Sequence, residues 1–524
     1  MGYLEKAGSY NLRGPASPNR IDRYCHLLTW ATLGVGSAAL TSLACWLALS
    51  SLPSVRGVET NVIFSIQQLM LGRPLYTAPA EYPFQIVQYS PFYYCMCASL
   101  AKMICLPPDS VQSLYCLSRT LSISLEIGRM VLLYCLLRRL LCVPRGPSLL
   151  ASMLMYVASS PWHFLARPDA LTSLLTLATV FCGLCALRTA KGRMHADVWL
   201  ALSTLCGVAA LFSKQNGLQA VILLPTFLLL TRQWRQARLV VVATVVVTAA
   251  LIAWAPTLWG PFMKANIIDG VRNGVDLPDA FLKSYHPIFT QWGPVLALAA
   301  AAVVNLLSSA ANRPDRFLAH AVLLFFLVAT TLAVKKGSTL QYYNDFLTVA
   351  IISIAYCFAG HGNVTERPAR SATRVRVAVA AYACIFLPTL VAYQFYTCVY
   401  KPMHDVTPTR MGSLAARRQV VVYLRSELQR HPQSWFFSRD PVIDVCLPGQ
   451  AVAPQKEIIE ISHRRKLVDY AGFAEAVRSG RIRYAIVERN AKPLPFAGAD
   501  FAAFKHLVDI DQYSIYVAPD EGHQ

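Results

Sequence analysis

Eleven apolar runs of roughly bilayer length leave few folds open to this chain. They cover about 28–52, 117–137, 147–164, 171–187, 197–212, 218–231, 238–256, 292–308, 317–334, 346–359 and 377–398. About 20 apolar residues cross the ~30 Å hydrocarbon core as a helix, and only a helix satisfies its own backbone there. The fold class is therefore an α-helical polytopic membrane protein with about 11 transmembrane helices. The 524 residues are 55% hydrophobic and 15% charged, which suits that class. A twelfth stretch, Phe92 to Leu106, is shorter and ends in Pro107-Pro108.

Charge sets the orientation. The polar segment 1–27 carries Lys6, Arg13, Arg20 and Arg23 and reads as a cytoplasmic head, with no cleavable signal peptide. With the head inside and eleven crossings, the inner segments hold 19 Lys and Arg, whereas the longer outer loops before residue 400 hold ten. This is the positive-inside bias. It predicts that 92–106 is re-entrant or interfacial, because a full crossing there would put Arg138, Arg139 and Arg145 outside. It also accounts for the net charge of +20 without nucleic acid. The expected localisation is the plasma (inner) membrane, with the C-terminal domain extracytoplasmic.

Three regions follow: the head 1–27, a membrane domain 28–400 with its first outer loop at 53–116, and a soluble domain 401–524. The last has 17 basic and 14 acidic residues and no spanning run. A helix is expected over Arg410–Arg430, with Leu414, Val421, Val422, Leu424 and Leu428 on its apolar side. Strands are expected at Ser434–Ser438, Pro441–Cys446, Tyr484–Glu488 and Ser514–Val517, with a helix near Phe473–Ser479, which makes a small α/β domain. Most of the 15 cysteines lie in apolar runs as small hydrophobes. Cys398 and Cys446 could pair if their side faces an oxidising compartment.

The first outer loop reads as an amphipathic helix on the membrane surface, with Val58, Val62, Ile63, Ile66, Leu69 and Met70 at helical spacing. Gly72-Arg73-Pro74 ends it, and Tyr76, Tyr82, Tyr89, Tyr93 and Tyr94 suggest an interfacial belt. Glu59 opens the helix, where an acid suits the helix dipole but is not needed by the pattern.

Other outer turns also hold charge. Arg167-Pro168-Asp169 fills a short turn, as an ion pair, a helix cap or a site. Lys214-Gln215-Asn216 occupies an equally tight one, and a lysine at that depth is costly unless it meets an anion. Lys335-Lys336-Gly337-Ser338 opens a third, followed by Gln341-Tyr342-Tyr343-Asn344-Asp345; its lysines can anchor to headgroups or grip a lipid phosphate. Arg119, Glu126 and Arg129 lie within or beside the second run, as a packing ion pair or a phosphate contact. The polar loop Gly260–Trp292 is a candidate lid, and His286-Pro287 in it reads as a turn. Outer acids beside outer lysines suit glycosyl transfer: a carboxylate takes the acceptor proton, and cations stabilise a phosphate leaving group.

With these stretches in view, the sequence resembles the GT-C class of polytopic glycosyltransferases, which includes protein O-mannosyltransferases and aminoarabinose transferases. The resemblance spans nearly the whole chain and rests on VETNVIFSIQQLMLGRPLYTAP with YSPFYY, ARPDALTSLLTLA, LFSKQNGLQ and KKGSTLQYYNDF. It implies a polyprenyl-phosphate sugar donor, a glycan, lipid or protein acceptor, and transfer on the outer face. Glu59 matches the catalytic base and Asp169 its partner; Arg167, Lys214, Gln215, Lys336, Ser338, Tyr343 and Asn344 are the candidate substrate-binding residues. Many members carry a paired Asp-Glu in the first loop, where this chain has Val58-Glu59. Some members hold a divalent metal between the loop acids; no His or Cys cluster here provides transition-metal ligands, and two carboxylates alone do not establish an ion. Two other readings remain: a transporter or flippase of a lipid-linked solute, against which stands the absence of a half-to-half repeat, and a scaffold binding cell-wall glycan, which leaves the membrane-edge lysines unexplained.

Overall fold

Helices account for most of the protein, and their ends follow the apolar runs. The structure, a computed structural model, describes residues 20–49, 59–188, 193–308, 312–361, 389–393, 396 and 408–519. The helices are α1 (Arg20–Leu49), α2 (Glu59–Met70), α3 (Phe92–Met103), α4 (Val111–Cys135), α5 (Arg145–His163), α6 (Asp169–Arg188), α7 (Arg193–Ser213), α8 (Leu218–Leu230) and α9 (Trp234–Trp259). They continue with α10 (Leu277–Ala280), α11 (His286–Ser308), α12 (Arg313–Ala333) and α13 (Asn344–Tyr356). Among the described residues, seven helices are long and apolar enough to cross a membrane. The run 377–398 lies largely outside the described residues, as do Val58 and Cys398.

Two short helices lie between the first and second long ones. The α3 helix has 12 residues, about 18 Å at 1.5 Å per residue, which is too short for the hydrocarbon core. The α2 helix is also 12 residues long, but it does not lie on a surface as its pattern suggested: Glu59 through Gln68 are all buried. Its polar face is used against protein instead of water. Gln67 Nε2 donates to the carbonyls of Pro108 at 2.7 Å and Val445 at 2.8 Å, and Gln68 Nε2 donates to Pro448 O at 3.0 Å. The tyrosine belt is corrected for the same reason. Tyr76, Tyr93 and Tyr94 are fully buried; the Tyr76 hydroxyl donates to Tyr89 O, and Tyr82 stacks on Trp435 with centroids 4.3 Å apart.

The C-terminal part is a five-stranded sheet in the order β2-β1-β3-β5-β4. Its strands are β1 (Trp435–Ser438), β2 (Ala451–Val452), β3 (Ile482–Glu488), β4 (Lys505–Ile510) and β5 (Tyr513–Val517). β1 runs parallel to β2 and β3, whereas β5 is antiparallel to β3 and β4. Around it lie α14 (Pro408–Arg430), α15 (Pro441–Cys446), α16 (Lys456–Arg464) and α17 (Ala471–Arg478).

The segment 441–446, expected as a strand, is the helix α15. Asp440 caps it by accepting from Val442 N at 3.0 Å, and Pro441 sits at the first helical position, where proline is preorganised. Along α14 the buried line is Ala416, Val420, Leu424 and Leu428, while Val422 is exposed. The strand pattern missed β4 because its side chains are mostly exposed on one edge.

Two expectations follow for the outer domain. Gln67→Leu leaves two buried carbonyls without donors and should lower stability by about 2–3 kcal/mol, read as a lower melting temperature in detergent. Asp444 is fully buried; its Oδ1 has no hydrogen-bond partner and its other oxygen meets Lys456. Burial raises its carboxyl to about 7, against the pull of Lys456. The folded state therefore keeps a proton that the unfolded chain gives up near pH 4, so domain stability should fall as pH rises from about 4 to about 7 and then level off. Resistance of this domain to proteolysis across that range checks the sign, and Asp444→Asn should flatten the dependence.

Candidate functional site

The short turn between α5 and α6, residues 164–168, gathers the candidate charges. Pro168 precedes α6, whose first residue is Asp169, so the carboxylate sits at the positive end of the helix dipole. Lys214 Nζ lies 2.6 Å from Asp169 Oδ1, and Arg167 Nε lies 3.2 Å from Asp169 Oδ2. All three side chains are more than nine-tenths buried. Lys214 reaches this position from the end of α7 through a very tight reversal into α8. A Cβ on Gly217 would stand 2.3 Å from the backbone of Ala210, so only glycine permits the approach.

Glu59 meets the same turn from the other side. Its Oε1 accepts from Ala166 N at 2.8 Å and from Arg119 Nε at 3.1 Å, and its Oε2 accepts from Arg119 Nη2 at 3.1 Å. Both groups of this pair are fully buried, and the Arg119 guanidinium also lies over the Tyr115 ring, 4.7 Å from its centroid. The acid that opens α2 is therefore tied to α4 and to the α5–α6 turn.

The remaining candidates divide by position. Gln215 Nε2 donates to Gln88 O at 2.6 Å and Ile267 O at 3.3 Å, holding two loops together. Lys336 is half exposed and lies 3.7 Å from Asp276. Ser338 is buried and donates to Leu332 O at 3.2 Å. Tyr343 is buried against Phe326 and Phe346 and donates to Thr330 Oγ1. Asn344 Nδ2 lies 3.4 Å from His163 Nε2. Only Arg167 and Lys214 of this set touch Asp169.

Lys335, Tyr89 and Tyr342, which stand outside the candidate substrate-binding set, also contribute. Lys335 shares the electrostatic field of Lys214, and burial together with that charge holds its ammonium pKa below the ordinary lysine value. Among the described residues it has no carboxylate partner. The turn decides which of the two lysines faces in: Lys336 N donates to Gly274 O, and Gly337 takes the left-handed region with φ +82°. Tyr89 accepts from Arg167 Nη2 at 3.1 Å, and the Tyr89 and Tyr342 rings lie 5.4 and 5.8 Å from Lys214 Nζ. In the candidate lid, Asn266 is an anchor, bonded to Thr77 O and Val87 N. His286 opens α11.

The donor set does not fit a divalent ion. Each loop carboxylate is already neutralised by cations, and among the described residues no group of three or more His, Cys, Asp or Glu side chains is assembled. What the arrangement offers is one acid with Arg167 and Lys214 against it and Lys335 in the field of Lys214, a net positive site at the ends of apolar helices. Such a site suits an anion with several oxygens.

Over nearly its whole length the chain shares its fold with two kinds of solved membrane protein. ArnT from Cupriavidus metallidurans bound to undecaprenyl phosphate superposes with a TM-score of 0.58 at 14% identity, over 94% of this chain and 100% of that one. Its apo state gives a TM-score of 0.59 at 13% identity, over 94% and 99%. The Archaeoglobus fulgidus oligosaccharyltransferase tethered with an acceptor peptide gives 0.52 at 12% identity, over 89% and 69%. By sequence, no family model matches the chain, and no curated protein matches it.

Glu59→Gln keeps an acceptor for Ala166 N–H but leaves the Arg119 charge buried without its counter-ion, at a cost of about 3–5 kcal/mol. The expected result is a strongly lowered melting temperature that is largely restored in a Glu59→Gln, Arg119→Met double variant.

Proposed function

We propose that the protein is an integral membrane glycosyltransferase that moves a sugar from a polyprenyl-phosphate-linked donor to an acceptor on the outer face of the membrane. The observation that carries this reading is the pairing of Arg167 and Lys214 with Asp169, with Lys335 in the electrostatic reach of Lys214, in a fold shared with a protein bound to undecaprenyl phosphate. The three cations would receive the lipid phosphate and stabilise the charge that grows on it as the anomeric C–O bond breaks.

The two loop acids divide the work. Glu59 accepts three hydrogen bonds and is fully buried, which suits holding the α5–α6 turn and Arg119 in place. Among the described residues Asp169 Oδ2 accepts no hydrogen bond, and it lies 3.2 Å from Arg167 Nε. When a phosphate draws on Arg167 and Lys214, their hold on Asp169 weakens and its basicity rises, so the acceptor proton goes to Asp169 once the donor is seated. This shifts the base from Glu59 to Asp169, in line with Val58 standing where many GT-C enzymes have their first loop acid.

Incubating the purified protein with labelled polyprenyl-phosphate sugars tests the reading. Asp169→Asn should reduce kcat by about 10²-fold or more. Lys335→Met should raise KM for the donor about tenfold while leaving most of kcat. Wild-type transfer rates in Asp169→Asn would overturn the assignment.

A further inference from the structure

The charges of the candidate site are held by opposite charges, but one buried acid beside it is held by neutral donors. Asp345 is the second residue of α13 and is buried. Its Oδ1 accepts from Ser173 Oγ of α6 at 2.7 Å, and its Oδ2 accepts from Gln219 Nε2 of α8 at 2.5 Å. A carboxylate carries two acceptor oxygens on one rigid plane, so it takes both donors at once and fixes their spacing.

The two donors belong to the elements that carry Asp169 and Lys214. Ser173 lies one turn along α6 from Asp169, on the same face. Gln219 lies five residues beyond Lys214, in the first turn of α8, and the reversal between them is tight, with Gly217 packed on the backbone of Ala210. The third element, α13, is a firm base for the acid. Residues Asn344 through Ser353 are all buried, and Thr348 Oγ1 accepts at 3.2 Å from Arg129 Nη1, whose guanidinium is itself held by Glu126 at 2.8 and 3.0 Å. Asp345 therefore forms a strut that runs from α6 through α13 to α8.

In the empty protein this strut duplicates a direct tie, because the Lys214–Asp169 contact already joins α6 to the α7–α8 reversal. A phosphate that draws on Lys214 weakens the direct tie just when Asp169 has to stay in place for the acceptor proton. The strut, made of neutral donors one turn further into the helices, is not drawn upon. We propose that Asp345 is a positioning residue of the transferase, which keeps Asp169 and Lys214 in register after the donor phosphate has loosened their own contact. The inference rests on Asp169 and Lys214 being the working pair.

Kinetics with labelled polyprenyl-phosphate sugars separate positioning from plain structural support. Asp345→Ala removes both acceptors and should lower kcat about tenfold or more, with the donor KM within about twofold, because the cations that meet the phosphate are still present. Asp345→Asn should return kcat to within about threefold of the wild type: its Oδ1 accepts from Ser173, and its Nδ2 donates to the Gln219 amide oxygen once that amide turns over. If Asp345→Ala does not fold, Ser173→Ala, which cuts only the strut to α6, should show the same loss in kcat alone. In melts without any donor, Ser173→Ala and Lys214→Met together should lower Tm by more than the sum of their separate effects, as two ties between the same elements require. A lowered Tm with kcat intact, an Asp345→Asn protein as slow as Asp345→Ala, or additive melts overturns the proposal. A wild type that transfers no sugar removes the transferase reading, and the melts still decide the strut.

Discussion

The helix ends around the α5–α6 turn depend on pairing charges that have been taken out of water. A carboxylate or ammonium at the end of a membrane helix costs several kcal/mol unless a partner of opposite sign meets it with good geometry. The α5–α6 turn meets that requirement twice, with Glu59 and Arg119 on one side and Asp169, Lys214 and Arg167 on the other. Because these residues come from α2, α4, α6 and α7, satisfying the charges also fixes how the helices stand against one another. A third cluster, Glu126 with Arg129 and His163, fastens α4 to α5 deeper in the bundle.

The two pairs near the turn differ in how completely they are satisfied, and that difference carries the functional argument. Glu59 accepts from Arg119 and Ala166, whereas among the described residues Asp169 keeps one oxygen without a hydrogen bond. Two cations, Arg167 and Lys214, stand against Asp169, and Lys335 adds its charge to the field of Lys214. An excess of buried positive charge is unfavourable in the empty protein and favourable once an anionic group enters. That imbalance suits the anionic ligand proposed above.

The apolar runs made the helices legible, since length and hydropathy alone decide what can cross a bilayer. The Arg167–Asp169 turn and Lys214 were legible as outer charges in tight turns. Periodicity could not show what covers α2. Its 3.6-residue pattern is the same whether the polar face meets water or the carbonyls of Pro108, Val445 and Pro448, and only the outer domain, hundreds of residues away, decides between them. Lys335 and Lys336 are likewise indistinguishable in sequence, and one left-handed glycine selects which points inward. The segment 441–446 has strand-like residues, but an N-cap aspartate followed by proline outweighs them.

The central claim is that the cations around Asp169 recognise a phosphate carried on a lipid. Equilibrium binding to the purified protein, comparing a polyprenyl phosphate with the matching uncharged polyprenol, tests it most directly. The account predicts at least tenfold tighter binding of the phosphate, an advantage that shrinks in a Lys214→Met, Lys335→Met variant. Equal affinity for the two lipids, or an advantage that survives loss of both lysines, would contradict it.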